Sequence, residues 1–162
     1  MTENPIDNVP TGLPDLDRFD HAILRVLSTE ARIPVTELAR RIGLTKSPTQ
    51  ARMRRLEAEG YITGYRAMLN PIRLRLAHVA FVELRLTDTR EAALRAFNAA
   101  VMKIPEVEQC HMVAGGFDYL LKVRTADMPS YRAVMAEKIS ALPHVANSST
   151  FVAMEAVKDE AI

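Results

Sequence analysis

The C-terminal half of the chain carries an internal echo. Ile104-Pro105 and Leu142-Pro143 stand 38 residues apart, and each is followed two residues on by a valine, Val107 and Val145. At the same offset Phe97 and Val101 answer Met135 and Ile139. A repeat of this length reads as one supersecondary unit used twice. The surrounding patterns say which unit. "HVAFVELRL" is apolar and β-branched and predicts a strand, and "REAALRAFNAAVMKIP" predicts a helix with Leu94, Phe97 and Val101 on its buried side. "VEQCHMVA" and "FDYLLKVRT" predict two strands joined as a hairpin at Gly115-Gly116. "MPSYRAVMAEKISALP" predicts a second helix with Tyr131, Met135, Ile139 and Leu142 inward, and "SSTFVAMEAV" a last strand. The order β-α-β-β-α-β is ferredoxin-like: an antiparallel four-stranded sheet with two helices on one face. The bare face, expected to show Phe81 and Leu84, calls for a partner, and a second copy of the chain is the simplest one.

The N-terminal half has a helical rhythm. Ile23, Leu24 and Leu27 form one stripe, with Asp17 or Asp20 at the helix start. Pro34 interrupts it. Val35, Leu38, Ala39 and Ile42 form a second stripe, which Gly43 ends. In "SPTQARMRRLEAEG" Ser47 is the expected N-cap, Pro48 suits the first turn, and Gln50 completes a capping box. Three short helices with a Gly-containing turn between the last two make a helix-turn-helix. "YITGYRAMLNP" then predicts a hairpin wing. The chain therefore divides into a flexible tail at 1–15, a winged helix-turn-helix at 16–66, a linker at 67–76 and a ferredoxin-like domain at 77–162. The fold class is α+β.

Charge separates the same regions. Residues 1–20 carry a net −4, residues 21–75 a net +7 and residues 76–162 a net −2. Between Arg40 and Arg55 stand six basic side chains and no acid. On the third helix Thr49, Met53 and Leu56 share an inward side, while Ser47, Gln50 and Arg54 face outward. Such a helix suits a DNA major groove. Base-edge contacts are assigned to Ser47, Gln50 and Arg54. Phosphate contacts go to Arg40, Arg41, Lys46, Arg52, Arg55 and Arg66, and Thr49 is included in the interface.

Other classes fit poorly. No run of eighteen apolar residues predicts a membrane span, and the polar start is unlike a secretory signal. One cysteine, Cys110, rules out an internal disulfide framework and suits the cytoplasm. Cys110 and His111 are neighbours in a strand, point to opposite faces and do not share a metal. No nucleophile elbow or phosphate-cradling glycine loop marks an enzyme. No cofactor is expected.

"LDRFDHAILRVL", "GLTKSPTQARMRRLEAEGYITGY" and "EQCHMVAGGFDYLLKVR" followed by "DMPSYR" resemble the recurring phrases of the Lrp/AsnC transcription factors, most nearly the leucine-responsive branch. The resemblance runs from residue 16 to about 158. It implies a DNA-binding module joined to an amino-acid-sensing domain. It also implies dimers built through the sheet, assembling into tetramers, octamers or hexadecamers on the nucleoid. The effector is implied to lie between dimers beside the hairpin, touching Met112, Val113, Ala114, Gly115, Gly116, Phe117, Asp118, Met128, Tyr131, Thr150, Phe151 and Val152. Where that branch often reads Gly-Asp-Phe-Asp, this chain reads Gly115-Gly116-Phe117-Asp118, one carboxylate fewer. The start of the third helix, "TKSPTQA", also departs from the branch's usual apolar and acidic choices. An apolar amino acid is expected, leucine first and proline second. The alternative is an architectural DNA-binding protein that ignores ligands.

Overall fold

Asp17 opens the first helix, α1 (Arg18–Thr29), by accepting hydrogen bonds from the backbone N–H groups of Phe19 and Asp20. Asp20 returns the contact by accepting from the Asp17 N–H at 3.0 Å, so the capping box lies here. Desolvation raises the Asp17 carboxyl, but hydrogen bonds from Asp20 N–H, Arg52 and Phe19 N–H outweigh it and hold it below the usual range. Pro34 directly precedes α2 (Val35–Ile42), and Gly43 ends that helix at φ 75°, the left-handed conformation glycine adopts without strain. The third helix, α3 (Lys46–Ala58), begins earlier than expected. Its N-cap is Thr45, with no side-chain cap, so Ser47 lies inside the first turn and the Ser47/Gln50 capping box does not form. Proline lacks an N–H and is tolerated throughout a first turn, so Pro48 did not fix the start.

These helices close over Ile23, Leu27, Ile33, Leu38 and Leu56, with Ile62 packed alongside. The computed structural model describes residues 16–158, which fall into two compact units, one up to Met68 and one from Leu69. The tail at 1–15 lies outside the described residues. The expected hairpin wing does not form a β ladder: residues 62–70 run as irregular chain. Ile62, Tyr65 and Met68 recur every third residue, a spacing that gives a strand no single apolar face. Ile62 joins the helical core, and Met68 is exposed. The Tyr65 hydroxyl bonds Glu57 at 2.9 Å, and desolvation together with that carboxylate pushes its pKa up to about 12.

In the second unit β1 (His78–Leu86), α4 (Glu91–Val101), β2 (Val107–Met112), β3 (Tyr119–Thr125), α5 (Met128–Val134) and β4 (Val145–Val152) follow in the expected order. The sheet runs β2-β3-β1-β4, antiparallel throughout. Ala80, Val82 and Leu84 of β1 and Tyr119, Leu121 and Val123 of β3 share one buried core with Phe97 and Val101 of α4 and Tyr131 and Val134 of α5. Both helices therefore cover the same face.

Three details differ from expectation. Leu84 is fully buried in that core, while Phe81 is 37% exposed. Period-two alternation puts residues 81 and 84 on opposite faces, so only Phe81 belongs to the bare side, with Glu83 and Arg85. The second helix changes pitch: α5 continues as a π-helical turn, Met135–Ile139. The last strand starts at Val145 because its register follows β1, from Leu86↔Val145 to Ala80↔Val152. No helix among the described residues is long and apolar enough to cross a membrane, and none of these residues forms a cluster of three or more His, Cys, Asp or Glu that would hold a metal.

Candidate functional site

The basic window between Arg40 and Arg55 has no acid of its own, and the fold supplies four from outside it. Glu37 accepts from Arg40 Nε at 2.8 Å and from Arg41 Nε at 3.0 Å. Glu30 accepts from Arg41 at 2.7 Å. Hydrogen bonds from Arg40 and then Arg41 lower the Glu37 carboxyl to about 2. Arg52 reaches Asp20 Oδ1 at 2.9 Å and Asp17 at 2.8 Å, and Arg55 stands 2.6 Å from Asp20 Oδ2. The Arg52 guanidinium also lies 5.5 Å from the Phe19 ring centroid. Lys46, Arg54 and Arg66 have no ion-pair partner among the described residues.

Helical geometry explains the division. At 100° per residue, Thr49, Met53 and Leu56 mark the inward side of α3, and Arg52 and Arg55 flank it toward α1. Ser47, Gln50 and Arg54 lie on the far side, where Ser47 and Arg54 are exposed and Gln50 is half-buried. Thr49 is a correction to the expected interface. It has no exposed surface, and its hydroxyl donates to the Thr45 carbonyl at 2.9 Å. It packs and presents nothing to DNA. The first turn of α3 has neither a side-chain cap nor an acid, so the N–H groups of Lys46 and Ser47 and the helix dipole are open to a phosphate, while Pro48 has no N–H and that of Thr49 donates to the Thr45 carbonyl.

The residues expected to touch an effector form two groups. Val113 to Asp118 link β2 to β3. Asp118 ties this loop to β1: its carboxylate accepts from Leu86 N–H at 2.7 Å and its N–H donates to the Leu84 carbonyl at 2.9 Å. Neither Gly115 nor Gly116 has a positive φ, so the tight hairpin turn expected at this pair does not take a form that needs glycine. A Cβ on Gly115 would meet nothing, and one on Gly116 would sit 3.9 Å from the Arg85 guanidinium. Beside the loop, Glu83, Arg85, Phe117, Asn147 and Ser149 line a polar cleft of about 200 Å³.

The second group is Met128, Tyr131, Thr150, Phe151 and Val152. The Tyr131 hydroxyl meets the Thr150 hydroxyl at 2.5 Å, and burial raises the Tyr131 pKa. Met128 and Phe151 are exposed, and Tyr131 also borders an apolar groove of about 510 Å³ along α5. Met112 is level with Tyr119, where β3 begins, whereas Met128 follows the other end of β3 at Thr125. Six strand steps of roughly 3.4 Å separate those ends, about 20 Å. Met112 and Met128 therefore do not share one pocket within a protomer.

The sequence pattern assigned no role to Glu83 or Arg85, and to Asp20 only a place at the helix start. The signals were present. Glu83 and Arg85 alternate with Val82 and Leu84, and Asp20 stands three residues before Ile23 on the apolar stripe of α1.

Comparison with known proteins agrees with both units. A winged helix-turn-helix DNA-binding family model matches residues 16–63, and the Lrp/AsnC ligand binding domain matches residues 79–162. A proline dehydrogenase transcriptional activator of Rhodobacter capsulatus is 63% identical, covering 90% of this chain and 94% of the relative. The leucine-responsive regulatory protein of Salmonella typhimurium is 46% identical over 89% and 88%. Among solved structures, an AsnC family regulator from Agrobacterium tumefaciens matches with TM-score 0.85 and 30% identity, covering 90% and 94%. A Neisseria meningitidis regulator in complex with L-Met matches with TM-score 0.84, 30% identity and the same coverage. The chain belongs to the Lrp/AsnC family of DNA-binding transcriptional regulators and is not an enzyme.

Proposed function

We propose that this regulator reads DNA through the outward face of α3 and responds to a free amino acid, proline ahead of leucine. The observation that carries the DNA assignment is the division of charge on α3. Ser47, Gln50 and Arg54 face outward beside an uncapped N-terminus, while Arg52 and Arg55 are held by carboxylates. Two-fold dimers formed through the sheet face would present two such helices to successive major grooves. Lys46 and Arg66 would hold phosphates. The 63% identity with a proline dehydrogenase transcriptional activator supports proline as effector and a proline-catabolic gene as target. The separation of Met112 and Met128 within one protomer supports a ligand site completed by a neighbouring copy. The assembly would act on DNA in the cytoplasm, as dimers gathered into tetramers, octamers or hexadecamers.

The test has two arms. Thermal-shift measurement with each of the twenty amino acids should give the largest rise with proline, since a ligand that prefers the folded state stabilises it. No rise with any of them at millimolar concentration would rule out amino-acid sensing and leave the architectural reading. In the second arm, Arg54→Ala should cost about 1–3 kcal/mol of discrimination between a selected duplex and a scrambled one. Equal losses on both would move Arg54 to phosphate. Gly116→Asp refines the effector arm, because its carboxylate would stand near Arg85 and restore the charge common in the leucine-responsive branch. A shift of preference from proline toward leucine is expected.

A further inference from the structure

We infer that Asp20 is a positioning residue for DNA reading. Its carboxylate takes both arginines on the α1 side of α3 out of phosphate binding and uses them to orient that helix. Asp20 is 1% exposed, one of the few charged side chains buried in the described structure. A buried carboxylate is tolerated only where its oxygens are fully engaged. Here Oδ1 accepts from Arg52 at 2.9 Å, and Oδ2 accepts from the Asp17 N–H at 3.0 Å and faces Arg55 at 2.6 Å. The contacts join the start of α1 to two successive turns of α3.

Two fixed points on one helix set its rotation about its own axis as well as its distance from α1. Rotation decides whether Ser47, Gln50 and Arg54 meet base edges, because each residue step is 100°. Apolar contacts at Leu56 and Met53 do not fix rotation as sharply, since hydrophobic attraction has no direction. The arginines themselves are diverted. The contact with Asp20, a hydrogen bond for Arg52 and an ion pair for Arg55, is the largest effect raising the pKa of each. Asp17 and the Phe19 ring restrain Arg52 further. The phosphate-facing charge of α3 is then Lys46, with Arg54 beside the bases.

The inference rests on α3 being the reading helix, and its test separates the two. Full-length protein is titrated with a duplex selected from random oligonucleotides by the wild-type chain, and with a scrambled duplex of equal length, across a range of salt. Lys46→Gln should shallow the slope of log affinity against log salt by about one per bound protomer. Arg52→Gln and Arg55→Gln should leave that slope unchanged. Asp20→Asn should lower the ratio of selected to scrambled affinity by about tenfold, the size of one lost base contact. A merely structural role would lower both affinities together and keep the ratio. An unchanged ratio for a folded Asp20→Asn overturns the inference. So does a slope that falls for Arg52→Gln or Arg55→Gln as it does for Lys46→Gln. If Asp20→Asn does not fold, the arginine slopes decide alone. Arg54→Ala, run alongside, reports on the reading helix itself and has no bearing on those slopes.

Discussion

The two units of this regulator are held together differently. The sheet unit buries thirteen residues in one apolar cluster, and the helical unit buries five. The smaller unit sets directional contacts beside its small core: the Asp17–Asp20 capping box, the Glu37 pair with Arg40 and Arg41, and the Asp20 clamp on Arg52 and Arg55. The sheet unit has its own beside a larger core, among them the Asp118 tie to β1, the Tyr131–Thr150 contact and the pairs of Glu108 on β2 with Arg124 and the buried Lys122 of β3. In the helical unit the contacts that stabilise are also the ones that aim α3, so stability and DNA reading are coupled there.

The largest expected effect is in the sheet unit. Phe97 is fully buried against Tyr119, with ring centroids 4.3 Å apart, and Phe97→Ala should cost about 3–5 kcal/mol in chemical denaturation. The helical unit's transition should stay in place. If both transitions moved together, the units would not be independent. Leu38→Ala, at a fully buried position in the helical unit, should cost about 2–5 kcal/mol and weaken DNA binding at temperatures where the sheet unit is still folded. Intact DNA affinity with a lowered helical transition would break the proposed coupling. Asp17→Ala removes the α1 cap and one partner of Arg52, for about 1 kcal/mol in the same melting experiment.

The smallest effect is on the acid limb. Glu37 is lowered from 4.5 to about 2 in the folded chain by Arg40 and Arg41. A depressed folded-state pKa gives stability that is present above the unfolded value and is lost as pH falls through the folded one. The helical transition should therefore lose a little between about pH 4.5 and 2, and Glu37→Gln should flatten that part of the curve. An unchanged curve would show that these exposed pairs contribute nothing.

Much of this was legible in the sequence because it is local. The ferredoxin-like order came from periodicity and from the 38-residue echo, and both recur in the observed elements. Pro34 and Gly43 bound α2 through their own backbone preferences. The inward side of α3 followed from helical spacing, which also marks Thr49 as a packing residue. Where expectation failed locally, a competing local rule explains it. Period two turned Leu84 inward, the three-residue spacing at 62–68 left the wing without a ladder, and Pro48 did not specify where α3 starts.

What the sequence by itself determined is the set of elements, their order and the basic character of the second and third helices. Only the tertiary structure decided which basic side chains remain available to DNA. Asp20 and Arg52 are 32 residues apart, and Glu30 and Arg41 are 11 apart. No helical or strand period relates such positions, so their pairing exists only once α1, α2 and α3 have packed. The same holds for the residues expected to touch an effector. Met112 and Met128 are near in sequence but stand at opposite ends of β3, because a strand carries the chain away by roughly 3.4 Å with every residue.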